Sequence, residues 1–154
     1  MADTEKLHFK IGIGGTYWKK VPIYSILIND KVIQTTEIAS PSGEVDIIEF
    51  DAEIEEGPAK LQIRLENKDW TDTVENEDKT AILKDMLLNI IDIEIDDIEL
   101  GQIPYNKGVL HTDQTVIWDG EETKRVPNCM NLGWNGDWSL TWSNPFYVWL
   151  LENL

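Results

Sequence analysis

The stretch Ile23-Tyr-Ser-Ile-Leu-Ile28, Asn29-Asp30, Lys31-Val-Ile-Gln-Thr-Thr-Glu-Ile38 decides the fold class. Two runs rich in β-branched residues flank an Asn-Asp pair, which tolerates the positive φ that a tight primed turn demands, so the stretch reads as a β-hairpin. Upstream, Leu7, Phe9, Ile11 and Ile13 alternate with His8, Lys10 and Gly12, the pattern of a strand with one buried face. Downstream, Ala39-Ser-Pro-Ser-Gly43 is a loop by composition, and Val45 to Phe50 is apolar enough for another strand. Glu55-Glu-Gly-Pro58 reads as a turn, followed by Ala59 to Glu66 with Leu61, Ile63 and Leu65 on one face. Ile91, Ile93 and Ile95 alternate with acids until Asp97 breaks the parity and Ile98 and Leu100 resume it. That slip predicts a β-bulge or a bending strand. Six such strands predict an all-β fold, an antiparallel jelly-roll-like β-sandwich.

One segment departs from period two. Within Asn67 to Asn89, Ile82, Leu83, Met86 and Leu87 recur at helical spacing, with Asp78 or Thr80 as N-cap. This predicts a short helical lid in the 67–89 loop, over the open end of the sandwich. Residues 101–137 are rich in Gly, Pro and Asn, with one strand at Thr115 to Trp118. Trp138-Ser-Leu-Thr-Trp142 alternates as another, and Phe146 to Leu151 reads as a strand or a docked terminal helix. The expected organisation is a single domain over 1–154, with a sandwich core at 7–100 and a Trp-rich C-terminal extension, 101–154, packing on it.

Composition narrows the function. The chain has 154 residues, 42% of them apolar, and a formal charge of −16. The apolar fraction supports a packed core. The charge argues against nucleic acid, whose phosphates need Lys and Arg, and against anionic membrane surfaces. No apolar run resembles a membrane span, and Met1 to Lys6 does not read as a secretory signal. Cys129 stands alone beside Met130 and Leu132, which reads as a small buried hydrophobe.

Topology places the candidate site. If consecutive strands are antiparallel, loops 14–21, 39–44 and 67–89 lie at one end. That end would collect Tyr17, Trp18 and Trp70 with a run of carboxylates that includes Asp69, Asp72, Glu75 and Asp78. Hard cations such as Ca²⁺ take six to eight oxygens from pliable loops, and the 67–78 stretch could supply them. It is not an EF-hand, because Asp72 falls where that loop turns on Gly. The alternative reading is a solvated acidic loop. Trp or Tyr rings beside such a site suggest sugar binding, since a pyranose packs its C–H face on an aromatic ring while its hydroxyls seek carboxylates or a cation. The alternative is that Trp18 and Trp70 pack the lid onto the sandwich. Trp138 and Trp142 share strand parity with Leu140 and look like core or subunit-contact surface.

Catalysis has little support, and the chain is expected not to be an enzyme. Paired glycosidase carboxylates cannot be selected among 29 acids. His8 and His111 lack a third zinc ligand, there is no Gly-x-Ser-x-Gly elbow, and Gly12-Ile-Gly-Gly15 fails as a nucleotide fingerprint.

Two resemblances add to this reading. Gly14 to Leu100 resembles the small calcium-dependent xylan-binding modules of the jelly-roll class. The shared features are the Ile26-Leu-Ile-Asn-Asp30 turn, Gly57 before Leu61-Gln-Ile-Arg-Leu65, the Asn- and Asp-bearing loop at 67–72, and Ile-x-Ile-Asp-Asp-Ile at 93–98. The resemblance implies Ca²⁺ held by acidic loop side chains and coordinating sugar hydroxyls, with Asn67, Asp69 and Asp72 at the matching positions. Asn67-Lys-Asp-Trp70, Asn76-Glu-Asp-Lys79, Asn131-Leu-Gly-Trp-Asn-Gly136 and Pro145 to Asn153 resemble small uncharacterised proteins of tailed phages that infect marine cyanobacteria. That resemblance implies a protein made in the bacterial cytoplasm and incorporated in a virion. The expected function is therefore a non-catalytic carbohydrate-binding module for host glycans. Tyr17, Trp18 and Trp70 are the expected ligand-binding residues, and Asn67, Asp69, Asp72, Glu75 and Asp78 are candidate Ca ligands. The alternative is a structural capsid, neck or tail component docking on other virion proteins through its Trp-rich C-terminus.

Overall fold

The structure is a computed structural model and describes residues 3–154. The strands are β1 (Thr4–Thr16), β2 (Ile23–Ile28), β3 (Lys31–Glu37), β4 (Val45–Glu55), β5 (Gly57–Leu65), β6 (Val74–Glu75), β7 (Ile82–Lys84), β8 (Leu87–Ile95), β9 (Ile98–Glu99), β10 (Val109–Trp118), β11 (Glu121–Pro127), β12 (Asn131–Leu132) and β13 (Gly136–Asn144). Two helices, α1 (Ile103–Lys107) and α2 (Phe146–Asn153), complete the fold. One sheet runs β12-β8-β1-β4 with β9 on β8, and the other runs β11-β10-β13-β5-β2-β3. All their pairings are antiparallel. Leu7, Phe9, Ile11 and Ile13 of β1 oppose Leu61, Ile63 and Leu65 of β5 across a core in which all are fully buried. The jelly-roll-like sandwich expected from the alternation is the fold observed.

The deciding hairpin forms as read. Asn29 (φ 49) and Asp30 (φ 68) supply both positive φ values, and Lys60 N donates to Asn29 Oδ1 at 2.8 Å, tying the turn to β5. The parity break at Asp97 has another cause than the one expected. Asp96 (φ 51) and Asp97 (φ 65) form a second two-residue turn, and Ile98 pairs back on Ile95. The bulge lies earlier, where Gly12 pairs with Asp92 and Ile13 with Ile90, leaving Ile91 out of the ladder and facing solvent.

The helical lid is corrected. The 67–89 segment holds a single 3-10 turn at Trp70–Asp72 and a small hairpin, β6 with β7. Asn76 Oδ1 accepts from Thr80 N (2.9 Å) and Ala81 N (3.3 Å), a local turn that competes with helix, and Lys79 takes φ 56. Ile82 and Leu83, the apolar half of the supposed helix face, are exposed, while Met86 is buried. The spacing combined residues from two different environments.

The C-terminal third is also more than an extension. It supplies β10, β11 and β13 of the second sheet, and β13 lies between β10 and β5. Trp138 and Trp142 point inward from it, 0% and 4% exposed, which settles them as core. Of the two readings for Phe146 to Leu151, the helix holds: α2 buries Phe146 and Leu150.

A small residue between α1 and β10 allows Trp138 its place. Gly108 N donates to Pro104 O at 2.8 Å, and a Cβ on Gly108 would fall 2.5 Å from that oxygen and overlap the Trp138 ring. Neither neighbour has room to yield. Gly108→Ala is expected to cost on the order of 2 kcal/mol in urea denaturation, and a variant as stable as the parent would contradict this packing.

His8 gives a pH prediction. From β1 its Nδ1 lies 2.7 Å from Asp51 Oδ1 and its Nε2 3.0 Å from Glu49 Oε2, both on β4. Asp51 first, then Glu49, raise the imidazole above its ordinary 6.5, and His8 is the largest cause lowering Asp51 below 3.8. A raised histidine pKa stabilises fully below 6.5, and the contribution is lost as pH rises through His8's own value. The Asp51 contribution is present above 3.8 and is lost as pH falls through its lowered value. His8→Gln should flatten the thermal midpoint on the alkaline side of 6.5, a small effect because the groups are exposed. Identical pH profiles for both proteins would refute the coupling.

Candidate functional site

Chain reversal at each connection brings the 17–22, 39–44 and 67–85 loops to one end, as expected. Tyr17 Oη donates to Ser40 O at 2.9 Å, Tyr17 N donates to Ser42 Oγ at 3.0 Å, and Trp18 Nε1 donates to Asp72 O at 2.8 Å. Tyr17 is half-buried and spends its hydroxyl on holding the loops together. Trp18 is partly exposed, with the ammonium of Lys84 4.7 Å and that of Lys19 5.7 Å from its ring centroid. Trp70 stands apart at 87% exposed.

The acidic residues divide into two sets. Asp69 and Asp72 form a capping box on the 3-10 turn: Asp69 Oδ1 accepts from Thr71 N at 2.8 Å, and Asp72 Oδ2 accepts from Asp69 N at 2.8 Å. Lys20 Nζ lies 2.9 Å from Asp69 Oδ2 and 2.9 Å from Asp72 Oδ2, and Lys19 Nζ lies 3.6 Å from Asp72 Oδ1. The Thr71 hydroxyl first and Lys20 second hold the Asp69 carboxyl far below the usual carboxylate range. Asn67 is not beside them in function. Its Oδ1 accepts from Ile23 N at 2.8 Å and its Nδ2 donates to Val21 O at 3.0 Å, a clamp on the start of β2. Glu75 on β6 and Asp78 in the hairpin turn are exposed on the projecting arm. Among the described residues, no three or more His, Cys, Asp or Glu side chains gather as a cation site. The donor set therefore does not fit a calcium ion, which would need more oxygens and would meet two ammonium groups in place.

The same end carries a cleft of about 1250 Å³ between the 67–85 arm, the β10–β11 hairpin and the 128–135 loop. Trp70, Trp118 and Trp134 line it, with Gln114, Asn128 and Asn131 among its polar groups. Trp118 and Trp134 meet edge to face at 6.3 Å. Cys129 on the wall is buried, its thiol pushed up by that burial and donating to Asn131 O at 3.1 Å. Sequence reasoning missed Trp118 and Trp134. The available signal was Asp119-Gly120, a two-residue turn with φ 52 and 80, which reverses β10 into β11 and sets Trp118 at the hairpin tip.

One lysine fixes the cleft's geometry. Lys68 Nζ donates to Asp85 Oδ1 at 2.8 Å and Gly133 O at 2.7 Å, while the Asn135 amide bridges Lys68 N and O, each at 2.8 Å. Burial pushes the Asp85 carboxyl up, but Lys68, Thr73 and Met86 N outweigh it, and its pKa falls below the ordinary value. These bonds join the loop bearing Trp70 to the loop bearing Trp134.

No family model and no curated protein matches the chain. Among solved structures, it is similar to vCBM60 in complex with galactobiose. The TM-score is 0.53 and the identity 10%, over 86% of this chain and 96% of that one. It is also similar to a selenomethionine form of vCBM60. That structure comes from work on circular permutation linking two families of calcium-dependent carbohydrate binding modules. Its TM-score is 0.53 and its identity 12%, over 87% of this chain and 89% of that one. At these identities the likeness is one of fold.

Lys68→Met leaves Asp85 without its cation and unlinks the two loops. The expected loss is on the order of 2 kcal/mol by urea denaturation, and Asp85→Asn should be milder because the hydroxyl and amide partners remain. Equal costs would argue against the charge pair as the link.

Proposed function

We propose that the chain is a non-catalytic carbohydrate-binding module that receives a neutral oligosaccharide in the Trp70–Trp118–Trp134 cleft. The observation that carries this reading is Trp70, 87% exposed in the lining of a cleft that holds two further indole rings. An indole left in water forgoes a large burial gain, and a flat apolar ring suits the C–H face of a pyranose. The amides of Gln114 and Asn131 offer donors and acceptors to hydroxyls. A cleft of about 1250 Å³ is larger than the 300–1,000 Å³ usual for a compact ligand, which suits several linked sugar rings better than one. The charge of −16 disfavours sulfated or uronic chains. The fold likeness to vCBM60 supports the reading as an analogy. Recognition is not routed through calcium at Asp69 and Asp72, whose carboxylates face lysines.

The test is a glycan array followed by titration calorimetry. Trp70→Ala should weaken binding by about thirtyfold, the scale of a hot-spot aromatic, while its thermal midpoint stays close to the parent's. Affinity should rise from mono- to oligosaccharides. Failure of every neutral glycan on the array to bind would end the proposal.

A second reading has one observation in its favour. The outer face of α2 carries Tyr147, Val148 and Leu151, all exposed, so a virion protein docking through the C-terminus would use this face and not the buried Trp138 and Trp142. Val148→Asp with Leu151→Asp should abolish incorporation into particles without unfolding the chain under that reading, and unaltered incorporation would remove it.

A further inference from the structure

We infer that Lys19 and Lys20 are built-in counter-cations for the Asp69–Asp72 pair, so that this end of the sandwich is assembled and binds its ligand without a divalent ion. Asp72 decides the matter because its side chain is 0% exposed. A carboxylate taken out of water is strongly destabilising unless it is paired and hydrogen-bonded. The pairing comes from one loop, 17–22, through two adjacent residues. Lys20 bridges the inner oxygens of both acids at 2.9 Å each. Lys19 sits among Thr71 Oγ1, Asp69 Oδ1 at 4.0 Å and Asp72 Oδ1 at 3.6 Å.

Two positive charges thus face two negative ones, and the local charge is balanced. Asp72 Oδ1 is the one buried oxygen of the pair with no hydrogen bond. The Lys19 ammonium lies 3.6 Å from it, and ammonium groups carry three donors each. Trp18 supports the arrangement from the same loop, its Nε1 on Asp72 O and its ring beside Lys19. A divalent ion entering here would have to expel both ammonium groups. In return it would find two side-chain carboxylates, because Asn67 is held by Ile23 N and Val21 O. That is far short of the six to eight oxygens calcium takes.

The assembly half of the inference stands apart from the glycan reading and its test needs no sugar, while the binding half rests on that reading. The full chain is melted in calcium and in EDTA, then the same is done for Lys20→Gln and Lys20→Arg. The parent midpoint should be the same in both buffers to within about 1 °C, because a ligand that does not bind the native state cannot shift it. Lys20→Gln should melt about 5 °C lower or more, whereas Lys20→Arg keeps the charge and should retain most of the midpoint. A parent midpoint that rises in calcium would overturn the inference, as would Lys20→Gln melting with the parent. Should Lys20→Gln fail to fold, the calcium response of the parent alone still decides. Glycan binding can then be measured in EDTA, where loss would count against the inference and persistence would support it.

Discussion

The arrangement of this molecule depends on one constraint: from β1 to β9 the chain reverses at successive connections of the sandwich, so alternate loops share an end. Two-residue turns at Asn29-Asp30, Asp96-Asp97 and Asp119-Gly120, all with positive φ, enforce the reversal with little chain. Their side chains tolerate the left-handed region, and no longer loop is needed on those edges. The long connections are left at chosen places. The 17–22, 38–44 and 66–86 segments meet at one end, where Trp18 reaches Asp72 and Lys68 reaches Gly133. The sandwich itself is apolar and closed, so any chemistry has to reside at these ends or on the outer faces.

Electrostatics then determine what that end can do. In a chain of charge −16, cations are few, and several are spent at the loop end on specific acids: Lys19 and Lys20 on Asp69 and Asp72, and Lys68 on Asp85. Arg64 is spent likewise on Glu66, Asp113 and Asp137. This pattern turns an acidic loop cluster, which in isolation suggests a metal centre, into an internally neutralised support. Aromatic rings and amides share the cleft lining with two exposed charges of opposite sign, Glu75 and Lys79, so these add no net charge of their own. A neutral polyhydroxylated chain is the partner proposed above for such a lining.

Much of the fold was legible because buried strands alternate. Leu7 to Ile13, the hairpin at 23–38 and Leu61 to Leu65 each display the period of two that one buried face requires. Shared ends followed from direction reversal alone, which is why Tyr17, Trp18 and the 67–72 loop could be placed together. Three features were not legible. The 67–89 segment imitated a helix because Ile82, Leu83 and Met86 recur at the right spacing, yet only Met86 is buried. Spacing records positions and not environments. The lysines opposing Asp69 and Asp72 lie some fifty residues away in sequence, so counting acids in one loop could not reveal that they were neutralised. Residues 101–137 looked irregular because much of β10 and β11 is solvent-facing and the apolar alternation there is weak.

The seven tryptophans show how the same residue type is assigned to different work by position. On β13, Trp138 and Trp142 share the parity of Leu140 and face the core, where Trp142 Nε1 donates to Asn144 Oδ1 at 2.7 Å. Trp149, one turn along α2, stacks on Phe146. These three are held by a periodic element, and their role is packing. The other four, Trp18, Trp70, Trp118 and Trp134, stand in or beside the loops of one end, Trp118 at the tip of β10 on the parity of the buried Val116. Trp18 is drawn into the Asp72 support by its indole N–H. That leaves Trp70, Trp118 and Trp134 around the cleft: Trp134 also packs against the core, Trp118 meets it edge to face, and Trp70 is the ring left in water. Packing explains the buried tryptophans, and on the reading proposed above Trp70 is kept for recognition. Under the proposal above, the exposed Trp70, which lines the cleft with Trp118 and Trp134, is the ring on which a ligand's apolar face would rest.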